Sequence, residues 1–429
     1  MTQAQLRARL QDDNARLRAA HAEQFDFLAD QLARRGIDAD AVVGELSDFQ
    51  VAIPSWALGA GGTRFGRFGF GGEPATLSQK LQDVGALHAL TRTAGNISLH
   101  IPWDIPDDPK ATKQEAAALG IGFDAVNSNT FQDQPDQTES YKFGSLNSTD
   151  DAVREQAIQH NLEVIDYGRQ LGSKALTVWL ADGSSFPGQL NFRRAFRNTL
   201  DSLEQVYAGL PRDWQVYVEY KPYEPNFYSM TIPDWGTSLE LCRGLGPKAN
   251  VLVDLGHHLP NTNIEQVVAQ LIGLGRLGGF HFNDSKYGDD DLTVGSIKPF
   301  QLFLIFSELV WGMDHNDAGN PPLGWMIDAS HNLKDPLEDL IQSLESILTA
   351  YAKAQLIDYD ALEAAQLAND VTRATEVLRQ AFETDVRPLV RESRLRAGGA
   401  INPLGTYRTA GVRAARIRER GAKSQATGL

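Results

Sequence analysis

The chain has 429 residues, of which 42% are hydrophobic and 22% charged, with a formal net charge of −15. These proportions fit a folded globular protein large enough to bury an extensive core. The negative balance argues against a general nucleic-acid binder, which must neutralise phosphates with Lys and Arg, and no run approaches the ~20 apolar residues needed to span a membrane.

Residues 1–48 read as helical, with Leu6, Leu10 and Leu17 roughly on one face, and carry no apolar core of a secretion signal, so a cytoplasmic location is expected. Eight short β-branched or aromatic runs follow, at 49–54, 96–101, 121–126, 174–178, 215–220, 250–253, 278–282 and 324–327. Helical periodicity fills the intervals, for example over 151–171, 191–208, 263–274 and 299–310. Strands alternating with helices imply a parallel sheet, and eight of them imply a closed (β/α)8 TIM barrel in the α/β class. The expected organisation is therefore an N-terminal helical segment (1–48), a catalytic barrel (49–345) and a C-terminal helical extension (346–429) that supplies oligomer contacts or else caps its own barrel. A Leu and Val stripe over 372–396 predicts a helix in that extension. The lone Cys242 excludes an internal disulfide and a thiolate metal site, and its helical setting makes it a core residue. Six basic residues against Glu419 between Arg408 and Lys423 read as a solvated tail or a helix on an acidic neighbour, with an anionic-ligand site as the alternative.

Each apolar run ends on a polar or aromatic residue: Trp56, His100, Asn127, Trp179, Glu219 with Lys221, Asp254 with His257, His281 with Asp284, and Asp328. In a barrel these positions surround one mouth, at the C-terminal strand ends where active sites form. Glu219 and Lys221 alternate along a strand and so share a face. Asp254 and His257 stand three apart where a strand becomes a loop. The run Asp289-Asp290-Asp291 places three carboxylates in succession, whose repulsion a cation offsets. In an extended loop Asp289 and Asp291 share a face, leaving Asp290 structural, and His258 is the outward neighbour of His257. Two imidazoles among five carboxylates, without sulfur, suit two divalent cations of the Mn²⁺, Co²⁺ or Mg²⁺ type. The glycine-rich stretch 59–72 lacks the Gly-Lys-Ser/Thr ending of a phosphate loop and reads as a mobile loop presenting Phe65 and Phe68. Trp56, Trp103, Trp179 and Phe131 offer faces on which a sugar can stack.

The motifs Ile53-Pro-Ser-Trp56, Ser98-Leu-His-Ile-Pro-Trp-Asp104, Asn127-Ser-Asn-Thr-Phe131, Gly172-Ser-Lys-Ala-Leu-Thr-Val-Trp179, Val253-Asp-Leu-Gly-His-His258 and Phe280-His-Phe-Asn-Asp-Ser-Lys-Tyr-Gly-Asp-Asp-Asp291 together resemble bacterial L-rhamnose isomerases of broad specificity. Nearly the whole chain takes part in the resemblance, least well over 311–323. It implies a homotetramer of xylose-isomerase-like barrels using two divalent cations per subunit, Mn²⁺ foremost. Glu219, Asp254, His281 and Asp328 then resemble the ligands of one metal, and Asp254 bridges to a second held also by His257, Asp289 and Asp291. The implied catalytic residues are Lys221, His257, Asp289, Asp291 and Asp328. Trp56, His100, Phe131, Trp179 and Lys221 would contact the sugar, with Phe65 reaching over from a neighbouring subunit. The implied reaction is reversible conversion of L-rhamnose to L-rhamnulose, and of other aldoses such as D-allose to D-allulose, by a metal-mediated hydride shift between C2 and C1. A metal-dependent phosphodiesterase or endonuclease-like barrel and a non-catalytic sugar-binding protein are the alternatives. No nucleic-acid or membrane partner is expected.

Overall fold

The computed structural model describes residues 1–59, 68–223, 227–329 and 333–423. Eight parallel strands close into a barrel: β1 (Ala52–Pro54), β2 (Asn96–Ile101), β3 (Gly122–Ser128), β4 (Ala175–Val178), β5 (Gln215–Glu219), β6 (Ala249–Asp254), β7 (Leu277–Phe282) and β8 (Gly324–Ile327). Neighbours in sequence are neighbours in space, and Ala52 closes the ring by pairing with both Asn96 of β2 and Met326 of β8. Every predicted apolar run falls on one of these strands, so the (β/α)8 barrel expected from them is the observed fold.

Side-chain alternation along the strands separates core from site. Phe280 and Phe282 on β7 turn outward and stack on Trp325 and Phe306, at centroid distances of 5.6 and 5.8 Å. His281 between them therefore turns inward. Ala125, Ala175, Tyr217 and Leu252 form a separate small cluster that floors the barrel one layer below the functional strand ends. Beyond β4 and β5, the short segments Gly183–Ser184 and Ser229–Met230 pair as an antiparallel ribbon that joins the two loops. A Cβ at Gly183 would stand 2.2 Å from the carbonyl oxygen of Ser229, so the ribbon requires glycine there.

The flanking helices pack on one another and on the helices around the barrel, about an apolar cluster that includes Leu28, Leu32, Val43, Phe303, Leu348 and Val390. Helix Gln3–Ala33 buries Leu6, Leu10, Asp13, His21, Leu28 and Leu32. Leu17, expected on that face, is instead exposed. Two polar side chains carry the seam in its place: Asp13 accepts from Thr409 (2.8 Å) and His21 meets Glu392 (2.7 Å). The C-terminal part also departs from expectation. Helix Pro336–Ala354 runs across the expected boundary at 345, and the predicted 372–396 helix divides into Val371–Phe382 and Arg387–Arg396. Pro388, in the first turn of the second piece, has no N–H to donate back and its ring collides with the preceding turn, which forces the break. Cys242 is fully buried on helix Trp235–Leu245. No helix among the described residues is long and apolar enough to cross a membrane.

The basic C-terminal stretch folds as helix Val412–Arg420, which docks on acidic neighbours. Arg413 forks onto Asp335 (2.6 and 2.9 Å) and Arg420 forks onto Asp83 (2.6 and 2.9 Å), while Arg416 pairs with Asp83 at 2.8 Å. Arg413 and Arg420 also donate to the carbonyls of Gly71 and Gly72, and Gly72 N–H donates to Gly421. A Cβ at Gly72, whose φ is +73°, would meet the Arg416 backbone at 2.6 Å, so this close approach also requires glycine. Asp83 is fully buried, and replacing it removes the counter-charge of Arg420 and leaves Arg416 with Glu419 alone (3.1 Å). Asp83→Asn is expected to lower unfolding free energy by about 3 kcal/mol. An unchanged urea midpoint would show that the clamp contributes nothing.

Candidate metal centre

The second half of the barrel, β5 to β8, brings two groups of ligands together. One ligand atom each from Glu219, Asp254, His281 and Asp328 lie within 4.8 Å of one another, and Asp254, His257 and Asp289 form a second such group. A divalent cation binds oxygen at about 2.0–2.6 Å, so its ligand atoms must lie within roughly twice that distance of each other. Both groups meet the requirement, and Asp254 belongs to both. Glu219 Oε1 lies 3.1 Å from His257 Nδ1 and 3.2 Å from His281 Nδ1, and His281 Nδ1 is 3.6 Å from Asp328 Oδ2.

Asp254 shows most directly that these residues fit a metal. Its Oδ1 accepts from Gly256 N–H (2.7 Å) and Asn283 Nδ2 (2.9 Å). Its Oδ2 is buried in a residue with no exposure and accepts no hydrogen bond from the described residues. A buried carboxylate oxygen without a donor is costly unless a cation takes it. Electrostatics say the same of the whole cluster. Burial pushes the Asp254 carboxyl up to about 7; the His257 charge opposes this, and Glu219, Asp328 and Asp289 add to it. Burial resists a charged His281, yet Glu219, Asp328 and Asp254 outweigh it and raise the imidazole to about 9. Burial likewise resists a charged Glu219, and the two histidines hold it below the usual carboxylate range. Bound cations would remove the need for protons here.

Lys221 follows Glu219 on the same face. Its Nζ donates to Asp289 Oδ2 (2.5 Å) and lies 5.1 Å from the centroid of Trp179, so it joins the ligands to an aromatic arc on the other half of the mouth. That arc is continuous in ring contacts: Phe131 meets Trp179 at 4.8 Å and His100 at 5.5 Å, and His100 stacks on Trp103 at 4.1 Å. Trp56 meets His100 at 5.4 Å and closes the circle by donating its indole N–H to Asp328 Oδ1 (2.9 Å). His100 Nδ1 and Trp179 Nε1 are buried and have no hydrogen-bond partner among the described residues. Burial, with the His160 and Lys80 charges adding to it, holds His100 down at about 3, so its imidazole is neutral.

Trp56, His100, Trp103, Phe131, Trp179, Glu219, Lys221, Asp254, His257, His281, Asp289 and Asp328 are thus joined around this mouth by the contacts above, whereas Asn127 donates its amide to the Ser98 hydroxyl (2.9 Å) and the Leu99 carbonyl (3.0 Å) of the neighbouring strand. Asp291 stands beside Asp289, with a left-handed φ of +50°, but belongs to neither ligand group. Burial first, and the charges of Asp289, Asp328 and Asp254 next, hold its carboxyl well above the usual range. Asp290 accepts from the backbone N–H groups of Lys286 and Tyr287 (2.6 and 3.0 Å) and so shapes the loop. Asp284 accepts from the backbone N–H groups of Ile297 and Lys298 (2.7 and 2.8 Å) ahead of helix Pro299–Asp314, which has no side-chain cap of its own. His258 points to the Tyr220 hydroxyl at 2.7 Å. Phe65 lies outside the described residues. Sequence reasoning missed Asn283, which holds Asp254 and also donates to the Asp328 carbonyl (3.2 Å). Its spacing two residues past His281 was the available signal.

Two measurements follow. A divalent cation is expected to raise the thermal midpoint; Asp254→Ala should abolish the rise and His257→Ala only reduce it, which differential scanning fluorimetry can read. For pH, His100 is neutral in the fold, whereas the unfolded chain binds a proton below its ordinary value of 6.5. Its contribution is thus present above 6.5 and lost as pH falls toward 3, by up to about tenfold in the folding constant per pH unit. Urea midpoints between pH 7 and 5 should fall less steeply for His100→Gln than for the parent.

The geometry agrees with the similarities of the chain to known proteins. Residues 88–329 match the model of a family described as xylose isomerase-like TIM barrel. A probable sugar isomerase of Rhizobium meliloti is 53% identical over 411 residues, covering 96% of this chain and 95% of the relative. A second probable sugar isomerase, from Mesorhizobium japonicum, is 51% identical over 419 residues, covering 98% and 97%. Among solved structures, an L-ribulose 3-epimerase superposes with a TM-score of 0.53 at 15% identity, covering 75% of this chain and 98% of its own, which is a likeness of fold. With the barrel, the ligand groups and these matches in agreement, the chain belongs to the xylose isomerase-like TIM barrel family.

Proposed function

We propose that the protein catalyses reversible aldose–ketose isomerisation of an open-chain sugar on two divalent cations per subunit, Mn²⁺ by ligand chemistry. The substrate pair we assign is L-rhamnose and L-rhamnulose, with D-allose and D-allulose as a further pair. The observation that carries this reading is the division of the mouth into a ligand half and an aromatic half, with Asp254 common to both ligand groups. The same reading makes the protein a cytoplasmic homotetramer.

Isomerisation moves the C2 hydrogen with its electron pair to C1, while one hydroxyl proton leaves O2 and one arrives at O1. Cations held by Glu219, Asp254, His257, His281, Asp289 and Asp328 would supply charge that polarises the sugar oxygens. The chain supplies the rest. Lys221 brings an ammonium to the seam between the two halves, where it can donate to an oxygen gaining negative charge. The arc of Trp56, Trp103, Phe131 and Trp179 stacks on C–H faces and excludes water. His100 Nδ1 and Trp179 Nε1 remain able to bond sugar hydroxyls.

Epimerisation is the other reaction to weigh, because inversion at carbon needs acid–base groups on opposite faces of the sugar. The half opposite the ligands offers aromatic rings and a histidine held at about 3, which favours isomerisation.

A panel of aldoses compared by kcat/KM tests the assignment. EDTA should abolish turnover and Mn²⁺ restore it, and full activity after chelation would sink the reading. Lys221→Met is expected to lower kcat by about 100-fold with the cations still bound.

A further inference from the structure

The aromatic half of the mouth hangs on a buried ion pair outside the ligand groups. We propose that Lys80 and Asp104 are positioning residues that set Trp56, His100 and Trp103 against the ligands and so fix where the sugar lies. Both are 2% exposed, and Lys80 Nζ meets Asp104 Oδ1 at 2.6 Å. The other oxygen of Asp104 accepts two donors, the Ser55 hydroxyl and the His100 backbone N–H (2.9 Å). Asp104 N–H returns a bond to the His100 carbonyl (2.9 Å), which closes the turn from 100 to 104 on itself. Ser55 immediately precedes Trp56, and Trp103 immediately precedes Asp104. One carboxylate therefore ties the loop after β1 to the loop after β2.

The consequences reach the ligands through Trp56. Its indole N–H bonds Asp328, and its edge meets the His100 ring that stacks on Trp103. A carboxylate suits this junction because it accepts from a hydroxyl, an amide and an ammonium at once, whereas a carboxamide has a single accepting oxygen. Lys80 comes from helix Leu77–Thr91, between β1 and β2, whose next turn carries Asp83 in the clamp with Arg416 and Arg420. The helix holding the ammonium is thus itself anchored, and the pair has a fixed frame to act from.

The inference rests on the sugar-site reading, but the ring arrangement can be measured without sugar. The full chain would be made as Lys80→Met, Lys80→Arg and the charge-balanced Lys80→Met with Asp104→Asn. Near-ultraviolet circular dichroism, which reports aromatic packing, should change in the tryptophan bands in Lys80→Met while the far-ultraviolet signal is kept, and Lys80→Arg should restore the parental bands in large part. With Mn²⁺ and the best aldose of the panel, Lys80→Met should lower kcat/KM about tenfold or more, mainly through KM. Should Lys80→Met fail to fold, the charge-balanced variant decides by the same readouts. A folded variant with parental near-ultraviolet signal and KM within twofold of the parent would overturn the inference. If the parent itself turns over no aldose, the isomerase reading fails, and the near-ultraviolet comparison alone decides the positioning role.

Discussion

Five carboxyl groups, on Glu219, Asp254, Asp289, Asp291 and Asp328, crowd one half of a barrel mouth, and their repulsion is the constraint around which the site is arranged. Charges buried in a poorly polarisable interior repel strongly, so each must have a partner or a proton. Lys221, His257 and His281 supply positive charge inside the cluster. Asn283, the Gly256 N–H and the Trp56 indole N–H supply dipoles. What remains is a carboxylate oxygen of Asp254 with no donor among the described residues, which is where a cation is most strongly wanted. The mouth is half ligands and half rings because rings add no charge, while they exclude the water that would otherwise screen the ligands.

The barrel and the ligand half were legible in the sequence because both obey short-range rules. Strand periodicity fixes inward and outward faces, so Glu219 with Lys221 and His281 between two phenylalanines could be read from a few residues each. The triple aspartate was legible only in part. That Asp290 shapes its loop while Asp289 meets Lys221 fits an alternating reading, but the left-handed turn at Asp291 breaks that alternation and sets it apart from both ligand groups.

What escaped is long-range. Leu17 fits the apolar stripe of the first helix, yet the seam is carried by Asp13 and His21, whose partners Thr409 and Glu392 lie nearly four hundred residues away. Lys80 and Asp104 look like surface charges one at a time and become core residues only once β1 and β2 are adjacent. The arginines of the last helix show the same thing: their number left a solvated tail and an acidic neighbour equally open, and only the fold names Asp83 and Asp335.

That last helix also places a condition on timing. The atoms that hold the carbonyls of Gly71 and Gly72 belong to residues 342 and 348 positions further along the chain. At synthesis rates of about 5–20 residues per second, the strand leading into that loop waits roughly 20–70 s for its anchor. For most of that interval β1 also lacks β8, its second neighbour in the barrel, which is made about 270 residues after it. Gly71 and Gly72 are therefore among the earliest residues near the mouth to be made and among the last to be held.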